Sequence, residues 1–244
     1  MDRVFVITVC RNAAQRIEQT MLSVLGQTYG NLSYIVIDGG SDDGTERIVG
    51  KYASRLSYWC SEPDGGIYDA MNKGLRIARN LTEAGESAWV NFMNAGDCFS
   101  DAEVVSDFFS GSAHYPQGVQ VLAGGYHMVD GRNGRKELFQ AGDADCLPAW
   151  MPFCHQATFM RLDRCRFDTR FKISADYHLF YNLYFTEGRD AFLCKDRTVA
   201  DFLMDDSTTY SNLRAVRREN LIIKSKRIDW FWIKECAKWL LHLN

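Results

Sequence analysis

The first hundred residues contain three apolar runs, and each ends in an acidic, glycine-bearing segment. The run through Ile37 leads into Asp38-Gly39-Gly40-Ser41-Asp42-Asp43-Gly44-Thr45. The run through Cys60 leads into Glu62-Pro63-Asp64-Gly65-Gly66, and the run through Met93 into Asn94-Ala95-Gly96-Asp97. An open α/β sheet builds a ligand site in this way, at the carboxyl ends of its strands. Helical patterns lie between the runs, which predicts repeated strand–loop–helix units, a parallel sheet and right-handed crossovers.

Strands are expected at 4–10, 32–38, 56–60 and 88–93, where β-branched and aromatic residues run together. Helices are expected at 13–27, from Asp43 or Thr45 through 52, and at 67–78. The first of these places Ile17, Met21, Val24 and Leu25 at helical spacing. Past residue 100 the pattern changes. A helix at 101–109 precedes strands at 119–124 and 126–129, with a hairpin-type turn at Asp130-Gly131 and Asn133-Gly134. A strand at 158–161, a helix from a Ser174 cap to 187, and strands at 192–195 and 199–204 follow. Terminal helices are expected at 212–227 and 229–242. This reads as one α/β domain over 1–205, with halves 1–100 and 101–205, and a helical tail over 206–244.

The apolar content of 46% and charged content of 24% suit a soluble globular chain. Eight cysteines are scattered without a Cys-x-x-Cys pair, which argues against a zinc site and predicts reduced thiols. No basic segment with an apolar core precedes the first strand, and no uncharged apolar run approaches about 18 residues. A cytoplasmic protein without a spanning helix is expected. The net charge is −3. From Arg214 onward eight Lys or Arg stand against three acids, so the tail carries about +5 and the body about −8. An acidic body argues against general nucleic-acid binding. The tail puts Trp230, Ile233, Ala237, Leu240 and Leu241 on one helical face, with Lys238 and His242 elsewhere. That pattern suits a helix lying in an anionic membrane surface, and equally a C-terminal helix docked on the sheet.

The candidate site residues each carry two readings. Asp38, at a strand tip, either holds turn amides or offers its carboxylate to a ligand. The flexible segment behind it favours the ligand. Neither a Gly-x-Gly-x-x-Gly after the first strand nor a Walker A sequence is present, so bound phosphates would need another neutralising group, most simply a divalent metal. Asp97 supplies one hard carboxylate for Mg²⁺ or Mn²⁺, with Asn94 as its neighbour. The plain alternative is a turn sequence. Asp176, in the first turn of a predicted helix, reads on its own as an acid favoured by the helix dipole.

Together these motifs resemble the family 2 glycosyltransferases of GT-A fold. The resemblance rests on Thr8-Val9-x-Arg11-Asn12, Asp38-Gly39-Gly40-Ser41-x-Asp43-Gly44-Thr45, Glu62-Pro63-Asp64-x-Gly66-Ile67-Tyr68-Asp69-Ala70-Met71-Asn72-Lys73-Gly74 and Asn94-x-Gly96-Asp97. It covers roughly residues 4–205, and is strongest toward the branch that builds bacterial exopolysaccharides and O-antigen-type repeats. It implies a GT-A type, mainly parallel mixed sheet flanked by helices, with a nucleotide-sugar half at 1–100 and an acceptor half at 101–205. It implies that Thr8, Arg11, Asn12, Asp38, Asp64, Lys73 and Asn94 bind a nucleotide-diphosphate sugar, with a UDP-sugar expected and GDP left open. Asp97 matches the second acid of the family's Asp-x-Asp element and would hold the metal. The first acid is replaced by Asn94 or Gly96. His155, in Pro152-Phe153-Cys154-His155-Gln156-Ala157, would be a metal or diphosphate ligand or an acceptor contact. Asp176, in Ser174-Ala175-Asp176-Tyr177, would be the catalytic base.

The chain departs from the family pattern in two places. Met71 stands where many relatives carry Arg, and Asp205-Asp206-Ser207-Thr208-Thr209 stands where the branch often shows Gly-Gly-Val-Ser. The implied activity is inverting transfer of a hexose to a saccharide acceptor, lipid-linked, on the inner face of the membrane. Two other classes remain. One is a nucleotide-sugar or glycan-binding module with a degraded metal site. The other is a nucleotidyltransferase, for which Cys10–Ala14 lacks the Gly-rich basic loop.

Overall fold

Alternating buried strands and amphipathic helices give the amino-terminal part its layers. The computed structural model describes residues 1–110, 115–116, 118–204 and 212–225. In order come β1 (Arg3–Cys10), α1 (Ile17–Leu25), β2 (Leu32–Asp38), α2 (Thr45–Gly50), β3 (Tyr58–Ser61), α3 (Ile67–Leu81) and β4 (Ala88–Phe92). β1 pairs in parallel with β2 and with β4, and β3 pairs in parallel with β2. Every residue of β1 from Val4 to Cys10 is buried, because helices cover both faces. Phe5, Ile7 and Val9 face a core with Ile35, Ile37, Met71 and Leu75. Val4 and Val6 face another with Ile17, Met21, Trp89 and Phe159. α3 buries Tyr68, Met71, Leu75 and Ala78, the helical spacing that lays one face on the sheet. Gly74 lets α3 approach β1, since a Cβ there would lie 2.6 Å from Ile7 Cγ2.

The second part adds β5 (Cys98–Phe99), α4 (Val104–Phe109), β6 (Val121–Val129), β7 (Lys136–Phe139), β8 (Thr158–Arg161), α5 (Ala175–Glu187), β9 (Phe192–Leu203) and α6 (Leu213–Ser225). β8 joins the halves by pairing antiparallel with β4 and with β6. The strand order is β3-β2-β1-β4-β8-β6-β9-β5, with β7 on β6. A single mixed α/β sheet, mainly parallel in its first half, therefore runs through both. The seven described cysteines are free thiols. Among the described residues, no helix is long and apolar enough to cross a membrane.

Several boundaries differ from the expectation. α1 begins at Ile17 instead of residue 13, because the Ala13 and Ala14 amides donate to Thr45 Oγ1 at 2.8 Å and Asp43 Oδ2 at 2.9 Å in another loop. The pairs of strands expected at 119–129 and 192–204 are single strands, β6 and β9. Their register shifts at Gly124 and Gly125, where a bulge interrupts the alternation. A Cβ on Gly124 would collide with the Arg197 carbonyl oxygen and with Val199 Cγ2. Gly124→Ala is therefore expected to destabilise the fold by about 1–3 kcal/mol, read as a lower urea midpoint at unchanged slope. An unchanged midpoint would show that β6 and β9 separate freely here. The expected helix at 229–242, Trp230 with it, and the loop from Asp205 to Thr209 lie outside the described residues.

Candidate active site

Loops at the carboxyl ends of β1, β4 and β9 enclose a cavity of about 720 Å³. Its lining includes Arg11, Asn12, Asn94, Asp97, His155 and Asp176. The loop after β1 is stitched to the loop after β2. Asn12 adopts φ 51°, a left-handed conformation that Asn tolerates better than most residues. Its N–H donates to Ser41 Oγ at 2.8 Å, and its Oδ1 accepts from the Asp42 N–H at 3.1 Å. The Thr45 hydroxyl and the Ala14 N–H hold the Asp43 carboxyl below its ordinary value.

Asp176 and His155 form the centre of the opposite wall. His155 Nδ1 meets Asp176 Oδ2 at 3.2 Å, and His155 Nε2 meets the Asn94 amide nitrogen at 3.1 Å. A neutral imidazole with its proton on Nδ1 satisfies both contacts, because Nε2 then accepts from the Asn94 NH₂. Asp176 Oδ1 accepts from the Tyr177 N–H at 2.8 Å and from the Tyr68 hydroxyl at 3.2 Å. Burial alone would raise the Asp176 carboxyl. The hydrogen bonds from His155, Tyr177 and Tyr68 together hold it below its ordinary value instead. It stays ionised, one-fifth exposed, and faces the cavity.

Asp97 is 5% exposed. Its Oδ2 accepts from Gln156 Nε2 at 2.8 Å and its Oδ1 from the Leu203 N–H at 3.0 Å. Burial pushes its carboxyl up to about 6 despite these donors. Gln156 and His155 share a short 3₁₀ turn, His155–Ala157, which the buried Asn91 of β4 fixes. Asn91 Nδ2 donates to the Gln156 and Thr158 carbonyls at 2.8 and 2.9 Å.

These observations bear on a divalent cation. Asn94 Oδ1 is buried and has no hydrogen-bond partner. Asp97 retains unused lone pairs on both oxygens, and its raised pKa marks a site where a cation would stabilise the ionised form. Oxygen donors of this kind fit Mg²⁺ or Mn²⁺, with diphosphate oxygens and water completing the shell. His155, expected as a metal or diphosphate ligand or an acceptor contact, has both ring nitrogens in hydrogen bonds within the protein. It bridges Asp176 to Asn94. Among the described residues no group of three His, Cys, Asp or Glu side chains converges as a protein-only cage.

Four expected site residues lie off the cavity lining. Thr8 is fully buried and its hydroxyl is spent on Tyr34 Oη at 2.8 Å and the Met93 carbonyl at 2.7 Å. Asp38 is also fully buried. It accepts from the Ser41 N–H at 3.0 Å, from Ser61 Oγ at 2.5 Å and from the Ser41 hydroxyl, so it organises the loop after β2 and offers no free edge. Asp64 accepts from the Gly66 N–H at 2.8 Å, and its other oxygen lies where a Cβ on Gly39 would sit. Lys73 pairs with Glu62 at 2.6 Å. Met71 is core, so no ligand contact arises at that position. Sequence reasoning assigned no role to Tyr68, Gln156 or Glu219. Tyr68 and Gln156 sit inside quoted motifs, beside residues that were singled out. Glu219 carries no local signal, since its partners lie 45 to 47 positions away.

Comparison with known proteins gives the family and the fold. The family model described as glycosyl transferase family 2 matches residues 5–164. An uncharacterized glycosyltransferase of Mycobacterium tuberculosis is 40% identical over 104 residues, 42% of this chain and 37% of the relative. A PGL/p-HBAD biosynthesis glycosyltransferase of Mycobacterium bovis is 29% identical over 177 residues, 68% of this chain and 63% of the relative. The chain thus spans less than two thirds of either. S. aureus TarS 1-349 in complex with UDP superposes with TM-score 0.62 at 19% identity, over 90% of this chain and 65% of that one. Mannosyltransferase PcManGT from Pyrobaculum calidifontis, in complex with GDP-Man and Mn²⁺, gives TM-score 0.61 at 19% identity, over 91% and 62%. The likeness to these structures shows the fold, the GT-A type α/β sheet that the motifs imply.

Proposed function

The chain belongs to glycosyl transferase family 2, and from that premise we propose that it is an inverting glycosyltransferase moving a hexose from a nucleotide-diphosphate sugar to a saccharide acceptor. The observation that carries this is the cavity itself. An ionised Asp176 and the Asn94–Asp97 pair line one space, linked through His155. In the reaction, Asp176 takes the proton of an acceptor hydroxyl. The freed oxygen bonds to the anomeric carbon as the bond from that carbon to the diphosphate breaks, so the configuration inverts. His155 and Tyr68 orient Asp176. Asp97 and Asn94 would hold the divalent cation, which supplies charge neutralisation to the leaving diphosphate. Arg11 and Asn12, on the facing loop, are the groups offered to the donor. UDP is the favoured nucleotide, in keeping with the UDP-bound TarS structure, while the GDP-Man complex of PcManGT supports the general class.

A lipid-linked acceptor of surface polysaccharide synthesis is part of the same reading. α6 exposes Leu213, Leu221 and Ile222 beside Arg214, Arg217 and Arg218, and Val216 and Asn220 on that helix line the cavity. A basic, apolar face next to the acceptor side suits an anionic membrane surface. The contrary reading is a binding module, favoured by an Asp97 whose two oxygens already have protein donors.

Calorimetric titration with UDP and with GDP, each with and without Mn²⁺, tests the proposal. Metal-dependent binding of one nucleotide is expected, with UDP the tighter. A folded chain that binds neither nucleotide in either condition would overturn the donor assignment. Release of nucleoside diphosphate, not pyrophosphate, separates transfer from nucleotidyl chemistry.

A further inference from the structure

Glu219 lies on α6, beyond the stretch that the family model matches. Its carboxylate receives three consecutive backbone amides of the segment leading into α5. Oε1 accepts from the Lys172 N–H at 2.8 Å, and Oε2 accepts from Ile173 at 3.1 Å and Ser174 at 2.8 Å. These amides precede a helix whose cap residue, Ser174, makes no side-chain capping bond. Glu219 thus takes the place of a cap, from 45 residues away along the chain. Converging amides form an anion-binding nest, and here the chain fills it with its own carboxylate.

The far side of the same segment faces the base. The Ile173 carbonyl accepts from the Tyr68 hydroxyl at 2.6 Å, and that hydroxyl also meets Asp176 Oδ1. Asp176 follows two residues after Ser174 and reaches His155 with its other oxygen. A rotation of residues 172–174 would therefore move Tyr68, Asp176 and His155 together. α6 has a second tether in Lys224, whose Nζ donates to the Ala149 carbonyl at 2.5 Å and lies 5.8 Å from the Tyr177 ring centroid.

We propose that Glu219 is a positioning residue for Asp176: its three amide contacts set the carboxylate of the base against His155 and the cavity. The inference rests on Asp176 being the base. A glutamine at this site has one acceptor oxygen and an NH₂ that opposes the amides. Glu219→Gln must then release at least one of the three and let the segment turn.

The test follows two signals in the full chain. The first is the Nδ1–H resonance of His155 by NMR, which reports its contact with Asp176 without any substrate. The second is UDP release from whichever of UDP-glucose, UDP-galactose and UDP-N-acetylglucosamine the wild-type chain turns over. Glu219→Gln is expected to shift the His155 Nδ1–H resonance from its wild-type position, and to lower kcat roughly ten- to a hundredfold with KM for the donor within about threefold. Lys224→Ala, which loosens α6 without touching residues 172–174, is expected to leave both signals in place. Adding Glu219→Gln to Asp176→Asn is expected to lower kcat by no more than about twofold further.

An unmoved His155 resonance in Glu219→Gln overturns the proposal. So does an equal loss of kcat in Lys224→Ala, which would make Glu219 a general tether of α6. A fully active Asp176→Asn overturns the base itself, and with it the role of Glu219. A resonance that moves in Glu219→Gln while Asp176→Asn is inactive supports the inference.

Discussion

Asp176→Asn is expected to lower kcat by about 10²–10⁴-fold while donor binding and the fold persist. The amide cannot take a proton, so the acceptor hydroxyl must lose its proton to water. Its shape is that of the carboxylate, and the surrounding donors can be satisfied again. The amide oxygen keeps the Tyr177 N–H, at 2.8 Å in the native site, and the Tyr68 hydroxyl. The amide nitrogen then faces His155 Nδ1, which becomes the acceptor when the imidazole proton moves to Nε2. Asn94 Nδ2 then meets Nε2–H donor to donor, so that contact is lost while Asn94 Oδ1 stays available to the cation. One buried contact is lost, at about 1–3 kcal/mol, and the larger loss should fall on chemistry. Nucleotide affinity by calorimetry, kcat by UDP release and thermal unfolding check the three parts. A variant that turns over within threefold of the wild type would remove Asp176 from the reaction.

Part of the sheet was legible because its physics is local. A run buried on both faces needs apolar residues without interruption, and 32–38 and 158–161 read as they fold. Reading failed where partners lie far apart in sequence. Nothing in residues 121–129 or 192–203 shows that two strands continue through glycine and charged residues, since a bulge and a parallel neighbour hold them in register. Asp38 and Thr8 sit at strand positions that look like ligand contacts. Their burial is decided by Ser61 on β3 and by Tyr34 and Met93. Arg11, Asn12, Asn94 and Asp97 line the cavity because they follow strand ends directly and the sheet must deliver them to one edge. His155 lines the same cavity. Its role depends on Asp176 and Asn94, 21 and 61 positions away.

Asp97→Ala is expected to abolish both transfer and the Mn²⁺ dependence of nucleotide binding. If Asn94 and Asp97 hold the cation, removing the only carboxylate leaves one neutral oxygen, too little to retain a hard dication. The diphosphate then departs without charge compensation, and several kcal/mol of transition-state stabilisation is lost. The structural cost is partly offset. Gln156 Nε2 and the Leu203 N–H lose their acceptors, at about 1–3 kcal/mol each, but the raised pKa of Asp97 shows that its ionised form was itself unfavourable in that pocket. These terms oppose one another, so a Tm loss of about 4–8 °C is expected for a chain of this size, well short of unfolding. A folded Asp97→Ala that still binds nucleotide with an undiminished response to Mn²⁺ would move the cation elsewhere. If wild type and variant bind nucleotide alike, and neither releases UDP to any acceptor, the binding-module reading takes precedence.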